Sequence, residues 1–443
     1  MVTSPHSLPA SPTALPLQGR HLAVAVCGGV AAYKAYDLIR ALQQEGATVT
    51  ALITPDAQAF ISPLTLQALT HRPVITEALS VDDAGVPWHI ALAQQADALI
   101  IVPATANTLA QLAHGLADNA VTTTAISWTG KPLVLIPAMN TRMWHHPLTQ
   151  RNAAILQSLE HVTWVPPAWG ELACGETGMG HLAPLATQMT WIHRALTLAS
   201  QPPSHHYSGI RALVTAGGTL EQLDPVRVLT NRSSGKMGVA LADALFAYGA
   251  EVTLIATETV TLPDLHQRPY SLIRVSTSQQ LHDALNQQLP QTDVLWMTAA
   301  VSDFVPAHQA AQKIKRGQEP FDLALIPNTD LLATAVAQHP HVYAIGFAAE
   351  THDVEHFAQN KLARKQLQAL CVNDVSRQDI GFGADDNEMT LFTATGLCVH
   401  LPKAPKTQMA RTLVNQLATG IQAFVHARSA SSSHAQNKTP QAV

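Results

Sequence analysis

Short, uniformly apolar runs recur along the chain, each followed by a stretch with helical spacing. LAVAV at 22–26 reads as a strand buried on both faces; Gly28 and Gly29 close it, and AAYKAYDLIRAL follows with the apolar spacing of a helix. VTALIT at 49–54, ALIIVPA at 98–104 and PLVLIPA at 132–138 repeat the strand pattern, with helical stretches between them. Such alternation predicts a parallel sheet with helices on both faces. The pattern breaks at SQPPSHHYSG, 200–209, which has the Pro, Ser and Gly content of a linker and no apolar periodicity. It restarts with ALVTAGG at 212–218, a helix from about Gly235 and VTLIAT at 252–257. VLWMTAAVSDF and VYAIGFAAE continue it, with a hairpin expected at 389–401 and a last helix over 407–426. Gly46-Ala-Thr-Val-Thr and Gly249-Ala-Glu-Val-Thr read as the same helix-to-strand corner in two separate sheets. The fold class expected is α/β: two Rossmann-like open parallel-sheet domains joined by a short Pro/Ser/His linker. The boundaries expected are a disordered extension at 1–17, a first domain at 18–199, the linker at 200–209, a second domain at 210–427 and a disordered tail at 428–443.

Composition narrows the class. The 443 residues suit two or three domains at roughly 100–200 residues each. With 47% hydrophobic and 13% charged residues, the chain can bury sizeable cores. A net charge of -5 argues against non-specific nucleic-acid binding, which needs a basic surface. The four cysteines, Cys27, Cys174, Cys371 and Cys398, show no C-x-x-C spacing and read as reduced thiols of a cytoplasmic protein. No run of about 18 apolar residues predicts a membrane span, and residues 1–17 lack the basic region of a signal peptide.

In open parallel sheets, ligands sit beyond the carboxyl ends of the strands. Cys27-Gly28-Gly29-Val30-Ala31-Ala32-Tyr33-Lys34 offers small residues and the start of a helix to a phosphate. Alone it is weak, since glycines after a strand are common and G-x-G-x-x-G is absent. Three more segments follow at strand ends: Thr54-x-x-Ala57-x-x-Phe60, Pro103-Ala104-Thr105-Ala106-Asn107-Thr108, and Pro137-Ala138-Met139-Asn140-Thr141-Arg142-Met143-Trp144. Together, in this order, they closely resemble the flavin-dependent cysteine decarboxylases, from about residue 20 to 190. The resemblance implies FMN held by Gly28, Gly29, Thr54, Phe60, Thr105, Ala106, Asn107, Thr108 and Met139. It implies Asn140 on the substrate carboxylate, Met143 beside it, and His89 as a catalytic residue. It also implies a proton-donating cysteine on a Gly-rich flap, here Cys174 within 170–180, where a plain surface loop with a stray thiol is the competing reading. The chemistry suits these types. A cysteine-derived carboxylate has no β-carbonyl to accept the electrons left by carbon dioxide; flavin oxidation of the thiol end to a thioaldehyde creates that sink. A histidine suits the thiol proton, although most of the 22 histidines must be non-catalytic and His89 stands out through its motif neighbours. The chain departs from the family at Cys27, usually Ser, and at Gly180-His181-Leu182, usually Gly-Arg-Met.

Asp224-Pro225-Val226-Arg227-x-x-x-Asn231-x-Ser233-Ser234-Gly235-Lys236-Met237-Gly238 is the most distinctive stretch of the second half. It lacks the P-loop pattern, but the helix start can receive a phosphate. Further on come Ala299-Ala300-Val301-Ser302-Asp303-Phe304, Lys313-Ile314-Lys315-Arg316 and Gly346-Phe347-Ala348-Ala349-Glu350-Thr351. The basic triplet alone reads as a solvated loop; Asp303, after a strand, has the hard oxygen that suits magnesium. The set, spanning about 210–425, resembles phosphopantothenate–cysteine ligase, and its place behind the first domain matches the bacterial bifunctional enzymes. That implies activation of 4'-phosphopantothenate by CTP with Mg2+, an acyl-cytidylate, and attack by cysteine. Asn231 and Lys313 are implied as catalytic. Arg227, Ser234, Gly235, Lys236, Ala299, Ala300, Asp303, Lys315, Asn328, Asp330 and Phe347 are implied as substrate or nucleotide contacts, with Asp303 also on the metal. Thr215–Glu221 and Pro327–Asp330 depart from the family's Thr-x-Gly-Pro-Thr-Arg-Glu and Lys-Asn-Pro-Asp.

Two other classes compete. A non-catalytic FMN-binding regulatory protein would lack His89, Asn140 or Cys174 and the ligase motifs, and all are present. A nicotinamide oxidoreductase would carry G-x-G-x-x-G and an acidic ribose partner. The resemblance further implies small-molecule partners only and a homo-oligomer: flavin-domain trimers whose interfaces build the active site, often assembled into dodecamers, with dimeric ligase domains.

Overall fold

The computed structural model describes residues 6–7, 15–171, 175–262, 265–315, 322–350, 354–374 and 383–436. The chain forms two compact units, divided between Ser200 and Gln201; Gln267–Pro269 belongs with the first and the amino-terminal strand β1 (His6–Ser7) with the second.

In the first unit, β2 (His21–Val26), β3 (Thr48–Ile53), β4 (Ala98–Ala104), β5 (Leu133–Pro137) and β6 (Val162–Trp164) form one sheet in the order β3-β2-β4-β5-β6. Every pairing is parallel. Side chains alternate between two cores, one on each face. Val24, Ile100 and Val102 join Leu38, Ile39 and Leu42 of the helix Ala35–Gln44. Ala23, Leu99 and Ile101 join Leu92, Leu109 and Val121. Burial on both faces explains why these strands are continuously apolar; each buried Leu or Ile contributes roughly 1.5–3 kcal/mol. The chain passes from β2 to β3 on one side and to β4 on the other, so the order reverses between β2 and β4. A separate antiparallel hairpin, β7 (Ala168–Glu171) and β8 (Thr177–His181), follows the sheet.

The second unit repeats the principle. β9 (Arg211–Ala216) leads to the antiparallel hairpin β10 (Leu220–Gln222) and β11 (Val228–Thr230). Then come β12 (Glu251–Thr257), β13 (Ser271–Val275) and β14 (Val294–Met297). A second antiparallel pair, β15 (Phe304–Pro306) and β16 (Leu325–Pro327), precedes β17 (Tyr343–Glu350) and β18 (Ala369–Asp374). β13-β12-β9-β14-β17-β18 are parallel neighbours, and their order reverses between β9 and β14. β19 (Asp386–Thr393) and β20 (Cys398–Pro405) extend the edge antiparallel, as the expected hairpin, and β1 pairs with β20. Both halves are thus the open α/β sheets that the apolar runs predict.

The ends and the junction differ from expectation. Tyr207, within the expected linker, is fully buried and its hydroxyl donates to Val414 O at 2.8 Å; His205 bonds Asn415 Oδ1 at 2.7 Å. One buried aromatic overrides the loop-like composition around it. The last helix spans Lys406–Gln436, well into the expected tail, and Arg428 pairs with the buried Asp293 at 2.5 Å. In the expected extension, Leu17 is buried and His6–Ser7 forms a strand, while 1–5 and 8–14 lie outside the described residues, as do 437–443. Among the described residues no helix is long and apolar enough to cross a membrane.

Candidate active sites

A cavity of about 690 Å³, within the usual range for small-molecule sites, opens at the carboxyl ends of β2, β4 and β5. Its walls carry Gly28, Gly29, Thr105, Ala106, Met139, Asn140 and Met143, with Glu171 and His181 from the hairpin. The Gly28 N–H donates to Thr54 Oγ1 at 3.2 Å, and a Cβ on Gly28 would lie 2.5 Å from Cβ of Asp56. A Cβ on Gly29 would face Thr105 Cγ2 at 3.7 Å, so a larger side chain would fill the cradle between the two turns. Thr105 caps the helix Ala106–Ala113, accepting from Thr108 N at 3.3 Å. The helix start offers its remaining N–H groups to an anion. Burial pushes the Cys27 thiol up to about 11 against hydrogen bonds from Thr108 and Thr105, so it is a neutral group behind the turn.

Asn140 caps the short helix Thr141–Trp144: its Oδ1 accepts from Arg142 N at 2.8 Å and its Nδ2 donates to Glu176 Oε2 at 3.2 Å. Arg142 pairs with the same carboxylate at 3.1 Å. The hairpin is fastened here, since Met139 N donates to Gly180 O at 2.9 Å and a Cβ on Gly180 would strike Met139 O at 2.3 Å.

Thus Gly28, Gly29, Thr105, Ala106, Met139, Asn140 and Met143 share one wall. Thr54 and Thr108 are buried behind it, supporting Gly28 and Thr105. Phe60 and Asn107 are exposed and do not line the cavity. His89, at the start of the helix Trp88–Gln95, does not line it either, and its buried Nδ1 has no hydrogen-bond partner among the described residues. Cys174 lies outside the described residues.

The second unit holds a cavity of about 570 Å³ above the ends of β14 and β17. The turns after β9 and β14 are joined: Thr215 Oγ1 accepts from Thr298 N at 3.1 Å and Ala299 N at 3.0 Å, and Ala300 N donates to Gly217 O at 2.8 Å. Ser234, Gly235, Lys236, Ala299, Ala300, Asp303, Asn328, Asp330 and Phe347 all line the wall. Lys361, Arg364, Lys365 and Lys406 add four cations that the motifs did not single out. The first three sit at i, i+3 and i+4 on the helix Val354–Lys365, a one-face spacing readable in the sequence. Lys365 pairs with Asp330 at 2.6 Å; burial would raise that carboxyl, but Lys365 and the Ala333 N–H hold it below the usual range. Lys236 pairs with Asp385 at 2.6 Å and thereby lowers the Asp385 carboxyl. Burial, reinforced by Lys236, lowers the Lys406 ammonium.

Arg227, Asn231, Lys313 and Lys315 do not line this cavity. Asn231 Nδ2 donates to the carbonyls of Ala300 and Val301, both at 3.2 Å, and so braces the wall. Asp224, 1% exposed, accepts from Val226 N and Arg227 N at 2.8 Å and from Ile314 N at 3.1 Å. It ties the Arg227 turn to the exposed loop carrying Lys313 and Lys315. Among the described residues no group of three His, Cys, Asp or Glu could hold a metal, so Asp303 stands without a ligand cluster.

Residues 11–196 match the Flavoprotein family, and residues 207–421 match the DNA/pantothenate metabolism flavoprotein C-terminal domain. The coenzyme A biosynthesis bifunctional protein CoaBC of Vibrio vulnificus (strain CMCP6) is 37% identical over 408 residues, 91% of this chain and 98% of that protein. The protein of the same description from Mycolicibacterium smegmatis is 40% identical over 410 residues, 90% of this chain and 97% of its own. That of Bacillus subtilis is 36% identical over 402 residues, 91% and 97%.

Proposed function

The chain belongs to the family of coenzyme A biosynthesis bifunctional proteins, and on that premise we propose that the second unit ligates 4'-phosphopantothenate to cysteine and the first decarboxylates the product. The observation that carries this reading is that each unit has a cavity where its strand order reverses, walled by the residues of its own motif. No observation favours a non-catalytic FMN-binding protein.

In the first unit, Gly28, Gly29, Thr105, Ala106 and Met139 would hold FMN, with the open glycine cradle and helix start suited to its phosphate and the mostly apolar walls to its ring. Bound FMN supplies a two-electron oxidation at the thiol-bearing carbon. Asn140 orients the substrate carboxylate, with Arg142 retaining Glu176 when the Asn140 amide turns to it. His89 takes the thiol proton and Cys174 returns one to the product. Since His89 does not share the wall with Asn140, the reading draws it from a second copy, in the trimer-based dodecamer expected for this domain.

In the second unit, Lys236, Lys361, Arg364, Lys365 and Lys406 offset the charge of CTP. Asp303 would hold Mg2+ together with the nucleotide's phosphate oxygens, since a nucleotide-bound Mg2+ needs only one or two protein carboxylates, and the metal would supply charge neutralisation there. The substrate carboxylate attacks the α-phosphorus and pyrophosphate leaves; the cysteine amine then attacks the acyl carbon and CMP leaves. Asn231 braces the wall at Ala300 and Val301, and Arg227, Lys313 and Lys315 contribute from the loops joined by Asp224. Exposed Phe304, Leu325 and Ile326 on β15 and β16 suit a dimeric contact. A cytoplasmic setting completes the reading.

The test is the purified protein incubated with 4'-phosphopantothenate, cysteine, CTP and Mg2+, the products followed by mass. Formation of 4'-phosphopantetheine, carbon dioxide and CMP is expected. A halt at phosphopantothenoylcysteine would overturn the decarboxylase assignment; no product at all would overturn the ligase assignment, and protein that also binds no flavin would overturn both.

A further inference from the structure

The side-chain amide of Asn140 is already engaged by a carboxylate of the chain itself. Its Oδ1 is fixed by the helix that it caps, accepting from Arg142 N at 2.8 Å. That leaves Nδ2 as the end with donors to offer. Nδ2 donates to Glu176 Oε2 at 3.2 Å, and Glu176 Oε1 accepts from Arg142 Nη2 at 3.1 Å. Asn140 lines the cavity and Glu176 does not, so this bond commits the amide to the hairpin rather than to a ligand. A second carboxylate brought to the same amide would lie against the first, and two like charges at that range repel.

The hold is close but weak. Glu176 immediately precedes β8, whose backbone is seated against the Asn140 helix. Met139 N donates to Gly180 O at 2.9 Å, and a Cβ on Gly178 would lie 2.4 Å from Thr141 Oγ1. Glu176 is therefore kept within reach of Asn140 by the strand that follows it. Its pair with Arg142 is open to water, with side-chain exposures of 41% and 85%, and an exposed pair of this kind contributes little. Rotation of the Glu176 side chain alone would free the amide.

We propose that Glu176 is a specificity-determining residue of the first unit: an internal carboxylate that occupies Asn140 in the empty site and that the substrate carboxylate must displace. The proposal rests on the decarboxylase reading, which gives Asn140 to that substrate group. A ligand with a carboxylate gains the Asn140 bond only by ending the Glu176 bond, so its net affinity is reduced. Once carbon dioxide has left, the product has no carboxylate to compete with, and the amide returns to Glu176. The substrate is thereby held loosely in the ground state, and the product keeps no anchor on Asn140.

The full-length holoenzyme and its Glu176→Ala and Glu176→Gln variants are titrated by calorimetry with two probes. One is S-methylated phosphopantothenoylcysteine, which keeps the carboxylate but has no free thiol to oxidise. The other is 4'-phosphopantetheine, which has no carboxylate. In Glu176→Ala the Kd of the carboxylate probe should fall by about five- to tenfold, the size expected of a hydrogen bond to a charged group, while that of 4'-phosphopantetheine stays within about twofold. Glu176→Gln keeps the shape and a neutral acceptor, so it should tighten the carboxylate probe by a smaller factor; this isosteric variant carries the test if Glu176→Ala fails to fold. In an Asn140→Ala background, Glu176→Ala should change neither Kd. Unchanged or weaker binding of the carboxylate probe in both Glu176 variants would overturn the proposal, as would equal tightening of both probes. Failure of the decarboxylase reading itself would register separately, as wild-type protein that releases no carbon dioxide from phosphopantothenoylcysteine.

Discussion

Asp224 is charged and almost fully buried, and the second unit's loops depend on it. Burial alone would raise its carboxyl; the N–H groups of Val226, Ile314 and Arg227, and the Arg227 guanidinium, outweigh burial and hold it below the usual range. A folded-state pKa depressed in this way contributes stability above the unfolded value, near 4, and the contribution fades as pH falls through the folded value. Asp224→Asn keeps the shape but removes the charge. We expect a lower melting temperature for the second unit at pH 7, with the gap from wild type narrowing below about pH 4. Ligase kcat/KM should fall on the order of tenfold or more, because the Arg227 and Lys313 loops lose register, while decarboxylation of supplied phosphopantothenoylcysteine should be unaffected. The thiols give a second residue-scale expectation. Cys27, pushed up to about 11, and Cys371, raised further by burial, are protonated at neutral pH. Both should resist iodoacetamide in the native protein and react once it is unfolded, as read by peptide mass. The sequence shows Asp224 and Cys27 as motif members, but not that either is buried, because burial is decided by elements far away in the chain.

At the scale of elements, strand ends were legible and backbone roles were not. The second unit, counted in chain order, has parallel strands in the sequence 3-2-1-4-5-6, the arrangement of dinucleotide-binding folds, yet it has no G-x-G-x-x-G. The structure shows why the pattern is hidden. Gly217, with φ +92°, makes the tight turn after β9; Gly235, with φ +71°, starts the helix on the cavity wall; Gly238 packs that helix on the strands. The hairpin β10–β11 is inserted between the first of these and the other two, so spatial neighbours are separated in sequence. A Cβ on Gly238 would lie 2.6 Å from Thr298 Oγ1, 2.7 Å from Ala216 Cβ and 2.7 Å from Thr215 O. Two of those neighbours belong to a central strand that cannot retreat. Gly238→Ala should therefore cost about 1–3 kcal/mol as an overpacked contact, measurable by denaturant unfolding, and should weaken ligase turnover by moving Thr298 and Ala299. The linker and tail misled for the opposite reason. Their composition is that of loops, while single anchors, Tyr207 on Val414 and Arg428 on Asp293, order them through partners that no local window contains.

At the scale of the whole molecule, the sequence names residues that one copy does not gather. Seven of the first unit's predicted contacts, among them Gly28, Thr105 and Asn140, share a wall because they follow adjacent strands of one sheet. His89 belongs to the same motif set but opens a helix off that wall, with a buried Nδ1 that finds no partner among the described residues. On the proposed reading, a second copy would bring its Asn140 wall to the half-buried His89 and complete the catalytic set. This makes a sharp expectation for mixed assemblies. His89→Asn and Asn140→Asp should each abolish carbon dioxide release when expressed alone. Co-expressed in equal amounts, they should recover about a quarter of wild-type activity, since in a ring of heterologous contacts one site in four would pair an intact His89 with an intact Asn140 from the neighbour. Sites built within single copies would recover nothing, because every copy carries one of the two lesions. Light scattering on the same samples fixes the remaining term: recovery requires a multimer, and a monomeric protein would refute a shared site even before activity is measured.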